Sequence, residues 1–123
     1  MSEIIRISEQ GKRQMIQLKR TTKIEQWNTL SRWALCKSLQ DPTALREIEI
    51  GRMSNIEMTW ETFCGPFQSL VAGLLYHRMN SVISEKTEFN DKTTLCIAHI
   101  HRGISSMSYE KPDIRRLVER TGL

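Results

Sequence analysis

The stretch from residue 4 to residue 42, IIRIS-EQGKRQMIQLKR-TTKIE-QWNTLSRWALCKSL-QDP, decides the fold. Ile4-Ile5-Arg6-Ile7-Ser8 has the β-branched composition of a short strand. Ser8 is a helix N-cap residue type, and a helix is predicted from Glu9 to Arg20 with Met15, Ile16 and Leu18 on its inner side. Arg20-Thr21-Thr22-Lys23 breaks it. A second helix follows from Gln26 to Leu39, with Trp27, Leu30, Trp33, Ala34 and Leu35 available for burial. It stops before Asp41-Pro42, because the residue before a proline is pushed out of the helical region.

Strand, helix, turn, helix is the order of a ribbon-helix-helix unit. One short strand is not stable alone, so in such a unit two chains pair strands. The expectation is therefore a dimer or something built from dimers.

Working outward, residues 43–55 read as an exposed connection of mixed charge. Ile56 to Trp60 alternates as a half-buried strand does. Gly65-Pro66 opens a third long helix, since proline is tolerated in a first turn. Its stripe is Leu70, Val71, Leu74, Leu75 and Met79. Asn80 to Asp91, NSVISEKTEFND, reads as a polar loop. Asn90 and Asp91 cap a helix from Lys92 to Arg102, with Gly103 as its stop. After Pro112, Asp113 caps a last short helix through Arg120. The whole is predicted to be mainly helical and a single domain over 1–123, with residues 1–40 as the ribbon-helix-helix-like unit and 56–123 as a helical extension.

At 123 residues the chain is long enough for one modest core. Charges interrupt the apolar patch at the N-terminus, so it does not read as a signal peptide. The longest apolar run, Leu70 to Tyr76, is far short of the roughly 20 residues of a membrane span. A cytoplasmic location, with no membrane association, is the expectation. Cys36, Cys64 and Cys96 are an odd set without close spacing, which fits reduced thiols. Cys36 and Cys96 read as small buried hydrophobes. Cys64-Gly65-Pro66-Phe67 lacks the second cysteine of a redox motif and reads as structural.

The formal charge is +4, and all of it lies at one end. Residues 1–23 carry six basic side chains, Arg6, Lys12, Arg13, Lys19, Arg20 and Lys23, against Glu3 and Glu9, while the remaining residues balance to zero. A polyanion is the natural partner. Lys12 and Lys19 are seven apart, as are Arg13 and Arg20, so each pair lies within about 20° of one line along a helix. Two stacked basic rows beside Lys23 form a surface that can follow a phosphate backbone without reading bases.

His99-Ile100-His101-Arg102-Gly103 is the motif that looks most chemical. His-x-His chelates metals from strands or loops. On a helix the two rings point about 200° apart and cannot share an ion, and no second motif supports a site. One histidine is expected to face the core, and the other, with Arg102, to face a partner or a phosphate. No metal or other cofactor is predicted.

Taken together, LKRTT (18–22), LSRWALCKSLQDP (30–42), TWETFCG (59–65), LLYHR (74–78) and AHIHRGI (98–104) resemble the DndE family of bacterial DNA phosphorothioation, or DNA sulfur modification, proteins. The resemblance covers nearly the whole chain in order. It is most specific at Leu35–Leu39 and His99–Gly103. It departs at the first turn, which often reads Arg-Thr-Gly in the family and here is Arg20-Thr21-Thr22-Lys23. The resemblance implies a homo-oligomer, dimer or tetramer, that binds double-stranded DNA with a liking for nicked duplex and works beside the DndC and DndD proteins.

Three functions compete. The first is a non-catalytic DNA-binding subunit, with Lys12, Arg13, Lys19, Arg20, Lys23 and Arg102 as DNA contacts. The second is a ribbon-helix-helix regulator or antitoxin, which reads bases with outward strand residues. Here those residues, Ile4, Arg6 and Ser8, are a thin set, and the long extension is more than the role needs. The third is a nickase. It lacks a carboxylate motif among Glu57, Glu61, Glu85, Glu88 and Asp91, although spacing alone leaves a Cys64 nucleophile with a histidine open.

Overall fold

The computed structural model describes residues 3–46, 50–89 and 91–110. The expected helix from Asp113 to Arg120, the basic residues Lys111, Arg115, Arg116 and Arg120, and the Asn90 cap lie outside them.

The chain begins with β1 (Ile4–Ser8), whose Ile5 and Ile7 point into the core. The Ser8 hydroxyl accepts the Gly11 N–H and starts α1 (Glu9–Thr22), which buries Met15 and Leu18. Lys23 ends α1 at φ 64°, and its N–H donates to the Lys19 carbonyl. That left-handed position usually takes glycine, because a Cβ there is strained. After a short turn, α2 (Trp27–Leu39) buries Leu30, Ser31, Ala34, Leu35 and Ser38. The strand-helix-helix order read from the sequence is present.

The partner of β1 is a correction. It pairs antiparallel with β2 (Met53–Thr59) of the same chain, Ile5 opposite Met58 and Arg6 opposite Glu57. The register shifts between Arg6 and Ser8. The lone strand that argued for pairing between two chains thus has its partner about fifty residues away. One edge of β1 is hydrogen-bonded there within the chain, so its pairing no longer argues for a second copy.

Thr59 accepts the Thr62 N–H and caps α3 (Trp60–Cys64). A single 3-10 turn at Gly65–Phe67 leads into α4 (Gln68–Ser81). The predicted third helix is thus present as α4, entered through the turn at Gly65-Pro66, and the short α3 before it is an addition. Two further expectations are overturned. The supposed polar loop contains α5 (Ile83–Glu88), with Glu85 fully buried. The last described helix, α6 (Lys92–Glu110), runs straight through Gly103. Asp91 starts it, accepting the Thr94 N–H at 2.8 Å.

Gly103 is a contact residue rather than a stop. A Cβ there would lie 1.8 Å from the Ala34 carbonyl oxygen, so α2 and α6 meet backbone to backbone. The core lies along this crossing and over the inner face of the strand pair. It is built from Ile5, Ile7, Leu30, Leu35, Phe63, Leu75, Leu95, Ile100 and Ile104, all essentially inaccessible to solvent.

Several apolar residues miss the core, among them Ile16, expected on the inner side of α1 and found exposed on its outer face. Trp33 is 60% exposed and Leu70 59%, and Cys36 beside them is also exposed. They border a groove between α2 and α4 with Phe67, Val71 and Leu74. Cys36 is therefore not the buried hydrophobe expected, while Cys64 and Cys96 are buried. No helix among the described residues is long and apolar enough to cross a membrane.

Candidate nucleic-acid interface

The α1 helix places its cations by simple geometry. Because Gly11, Met15 and Leu18 turn inward, residues 13, 16, 17 and 20 face outward, and Arg13 and Arg20 are exposed. Lys12 and Lys19 lie on the flank of this face, half-buried. The two predicted rows therefore exist side by side, and Lys23 follows at the end of the helix. Arg13, Arg20 and Lys23 form no ion pair among the described residues. Among the described residues their positive charge is thus left unpaired, which suits a polyanion.

The lysine row has neighbours. Lys12 Nζ donates to Asn55 Oδ1 of β2 at 2.7 Å. Lys19 Nζ sits 3.4 Å from the centre of the Trp27 ring, a close cation–π contact. Both border a groove of about 560 Å³ between α1, the start of α2 and β2, which Trp27, Asn28, Asn55 and Glu57 also line. Sequence reasoning counts Trp27 only as a core residue and passes over Asn55. The signal it has is the approach of Lys23-Ile24-Glu25-Gln26-Trp27, where a tight turn returns an aromatic ring to the lysine side of α1.

Arg102 is not part of this surface in its contacts. Its Nε donates to Ser38 Oγ at 2.7 Å, and its terminal nitrogens donate to the carbonyls of Ser38, Asp41 and Thr43. Arg78, on α4, donates to the carbonyls of Asp41 and Thr43 from its own side. Two arginines thus clamp the backbone that follows α2. The sequence suggests Arg102 as a phosphate contact, and the structure shows its donors occupied within the chain.

The histidines resolve in the same way. Arg102 donates to Ser38 Oγ, so the Ser38 proton points to His99 Nδ1, 2.7 Å away. His99 Nε2–H then donates to Glu85 Oε1 at 2.6 Å, and Arg78 Nε donates to Glu85 Oε2 at 2.8 Å. The tautomer follows from this chain of donors. Burial, with help from the charges of Arg102 and Arg78, pushes His99 down to about 4 despite the Glu85 carboxylate.

Serine, histidine and glutamate in a row have the composition of a hydrolytic triad. Ser38 and the other two are buried, however, and the serine oxygen already accepts from Arg102, so no substrate reaches it. The row acts as an internal tie. His101 accepts the Ser8 N–H at Nε2 and donates from Nδ1 to the Ile97 carbonyl, which joins α6 to the end of β1. Burial lowers its pKa as well.

Burial pushes the Cys64 thiol up to about 11, so it stays protonated and is a poor nucleophile. The ring nitrogens of His99 and His101 are taken by the partners above. Among the described residues no group of three or more His, Cys, Asp or Glu side chains could hold a metal ion.

Comparison with known proteins points one way. The family model described as DNA sulphur modification protein DndE matches residues 4–114. A crystal structure of a glycine-to-lysine mutant of DndE involved in DNA phosphorothioation superimposes with a TM-score of 0.64 at 16% identity. The likeness covers 89% of this chain and 100% of that one. No curated protein sequence matches.

Proposed function

The chain belongs to the DndE family of DNA sulphur modification proteins, and from that premise we propose that it is the non-catalytic DNA-binding subunit of the modification machinery. The observation that carries the reading is the outer face of α1, where Arg13, Arg20 and Lys23 stand exposed and form no ion pair among the described residues. Lys12 and Lys19 extend the row along the groove.

Such a face binds by neutralising phosphates and releasing condensed counterions, which gives affinity without base sequence. In this reading the protein favours nicked double-stranded DNA, because an interrupted duplex bends at low cost to meet more than one basic face. Several faces require a homo-oligomer, dimer or tetramer. The exposed Trp33, Phe67 and Leu70 supply apolar surface of the kind that self-association buries. Handling of sulfur and of nucleotide energy falls to other subunits, with the DndC and DndD proteins as partners in the cytoplasm.

A gel-shift series with intact, nicked and single-stranded DNA of one sequence, with light scattering on the same samples, tests this. Nicked duplex should bind tightest, intact duplex next and single strand least, from an oligomer. Sequence-selective binding to one operator, with no response to the nick, would instead identify a regulator.

A further inference from the structure

The groove beside the lysine row is built from side chains that an evenly basic surface does not need. Trp27 offers a ring face to it, and Asn28, Asn55, Glu25 and Glu57 bring amides and carboxylates. Its volume of about 560 Å³ lies within the range of small-molecule sites, which runs from about 300 to 1,000 Å³. A paired, stacked base cannot enter it. An unpaired one can.

We infer that this groove takes a single unpaired nucleotide at a strand interruption, its base against Trp27 and its phosphate on Lys12 and Lys19. The inference rests on the DNA-binding reading above and adds a ligand site to it.

Three features support the assignment. First, aromatic side chains stack on any base, and such stacking is a principal source of affinity for single strands. The ring face is held ready by the Lys19 ammonium, 3.4 Å from its centre. A base that stacks there displaces the ammonium, which then becomes available to the phosphate of the same nucleotide.

Second, the polar groups have capacity to spare. Asn55 uses its carbonyl oxygen on Lys12, which leaves its two amide N–H groups to donate to a base. Glu57 holds Arg6 at 3.4 Å in a well-exposed pair, so it remains open to accept from an exocyclic amine. Third, the two acidic groups have no place in a purely phosphate-tracking surface, where they repel the ligand. They are explained by the N–H edge of a base.

The site also accounts for a preference that bending alone leaves general. Extruding a base costs least where the strand is already interrupted. The nick would then be sensed through a nucleotide that frays into the groove.

The test compares three labelled duplexes of one sequence. The first is intact, the second carries a nick with a one-nucleotide flap, and the third carries the same flap with an abasic residue. The wild-type protein should bind the base-bearing flap about ten-fold more tightly than the intact duplex and quench tryptophan emission as it does so. The abasic flap should lose most of that gain. Trp27→Ala should erase the difference between the two flaps, and Trp27→Phe should retain part of it. Equal affinity of the wild type for base-bearing and abasic flaps overturns this site alone, a comparison that needs no variant to fold. Failure to bind any of the three duplexes overturns the DNA-binding reading itself.

Discussion

Two regions of this molecule carry concentrated charge, and they use it in opposite ways. Along the inner side of α6, Arg78, Glu85, His99 and Arg102 form a closed set in which nearly every donor has an acceptor inside the chain. Along the outer side of α1, Arg13, Arg20 and Lys23 are exposed and form no ion pair among the described residues. The first region looks more chemical in the sequence, since it contains His-x-His-Arg. It is the second that has charge left over for a ligand. Residue type alone does not distinguish them; the count of satisfied partners does.

That contrast breaks first at Glu85. Glu85→Ala would leave Arg78 charged and His99 without an acceptor in the interior. The expected loss is about 3–5 kcal/mol, because removing one partner of a buried ion pair strands the other. Urea denaturation measures it. A loss under about 1 kcal/mol would mean that the seam is open to water and that the contrast between the regions is false.

Acid probes the same seam without a mutation. His99 is held near 4, below its ordinary value of 6.5, so the folded protein binds its proton less readily than the unfolded chain. Stability should therefore fall as pH drops from about 6.5 towards 4, by up to about 3 kcal/mol from this group, since each tenfold difference in proton affinity between the two states is worth about 1.4 kcal/mol. His101 is displaced in the same direction. Melting temperature followed across this window, in the wild type and in His99→Gln, isolates the contribution. A flat wild-type profile would show that His99 is charged in the fold.

At the end of α1 the expected effect is smaller. Lys23 holds a left-handed conformation, which costs a side-chain-bearing residue about 1 kcal/mol. Lys23→Gly should relieve that strain and raise stability by no more than about 1 kcal/mol, offset in part by the greater freedom of glycine in the unfolded chain. It should also weaken DNA binding by removing one cation. A stability gain with unchanged binding would take Lys23 out of the interface.

The smallest expected effect on the fold is the largest one on function. Lys12→Ala, Lys19→Ala and Lys23→Ala should each leave stability within about 0.5 kcal/mol and lower the slope of log affinity against log salt by about one. The triple variant should remain folded, in the same association state as the wild type, and bind every duplex sequence more weakly. Nicked-duplex binding with unchanged affinity and slope would move the interface off α1 altogether.

The legible part of this fold is local. Strand β1, the Ser8 cap, α1 and α2 are set by composition within a turn or two, and the seven-residue spacing of the basic rows is a property of any helix. The long-range relations are not legible. Nothing between residues 4 and 8 states whether the partner strand belongs to the same chain, because the edge of a strand is the same backbone in either case. Gly103 carries the composition of a helix end, and only the Ala34 carbonyl against it shows why a glycine is needed inside one. Glu85 is hidden because Ser84 to Glu88 is polar enough to pass for loop. Its burial is made by His99 and Arg78, which lie elsewhere in the sequence. At the candidate interface, the cations are readable and the groove beside them is not, since Trp27 and Asn55 meet only after the chain has folded back.

The hydrogen bond from the Ser8 N–H to His101 spans 93 residues. At a synthesis rate of about 5–20 residues per second, the strand leaves the ribosome about 5–20 s before the helix that completes its end exists. Over that interval Ile5 and Ile7 have α1, β2 and α3 to pack against but lack the cover of α6, and the strand pair is a marginal structure until α6 arrives. Closure of the core is thus a late, non-local event of the kind that slows folding. Newly made chains pass through a stage in which an apolar strand edge is open to other nascent copies, a time when a chaperone has something to hold.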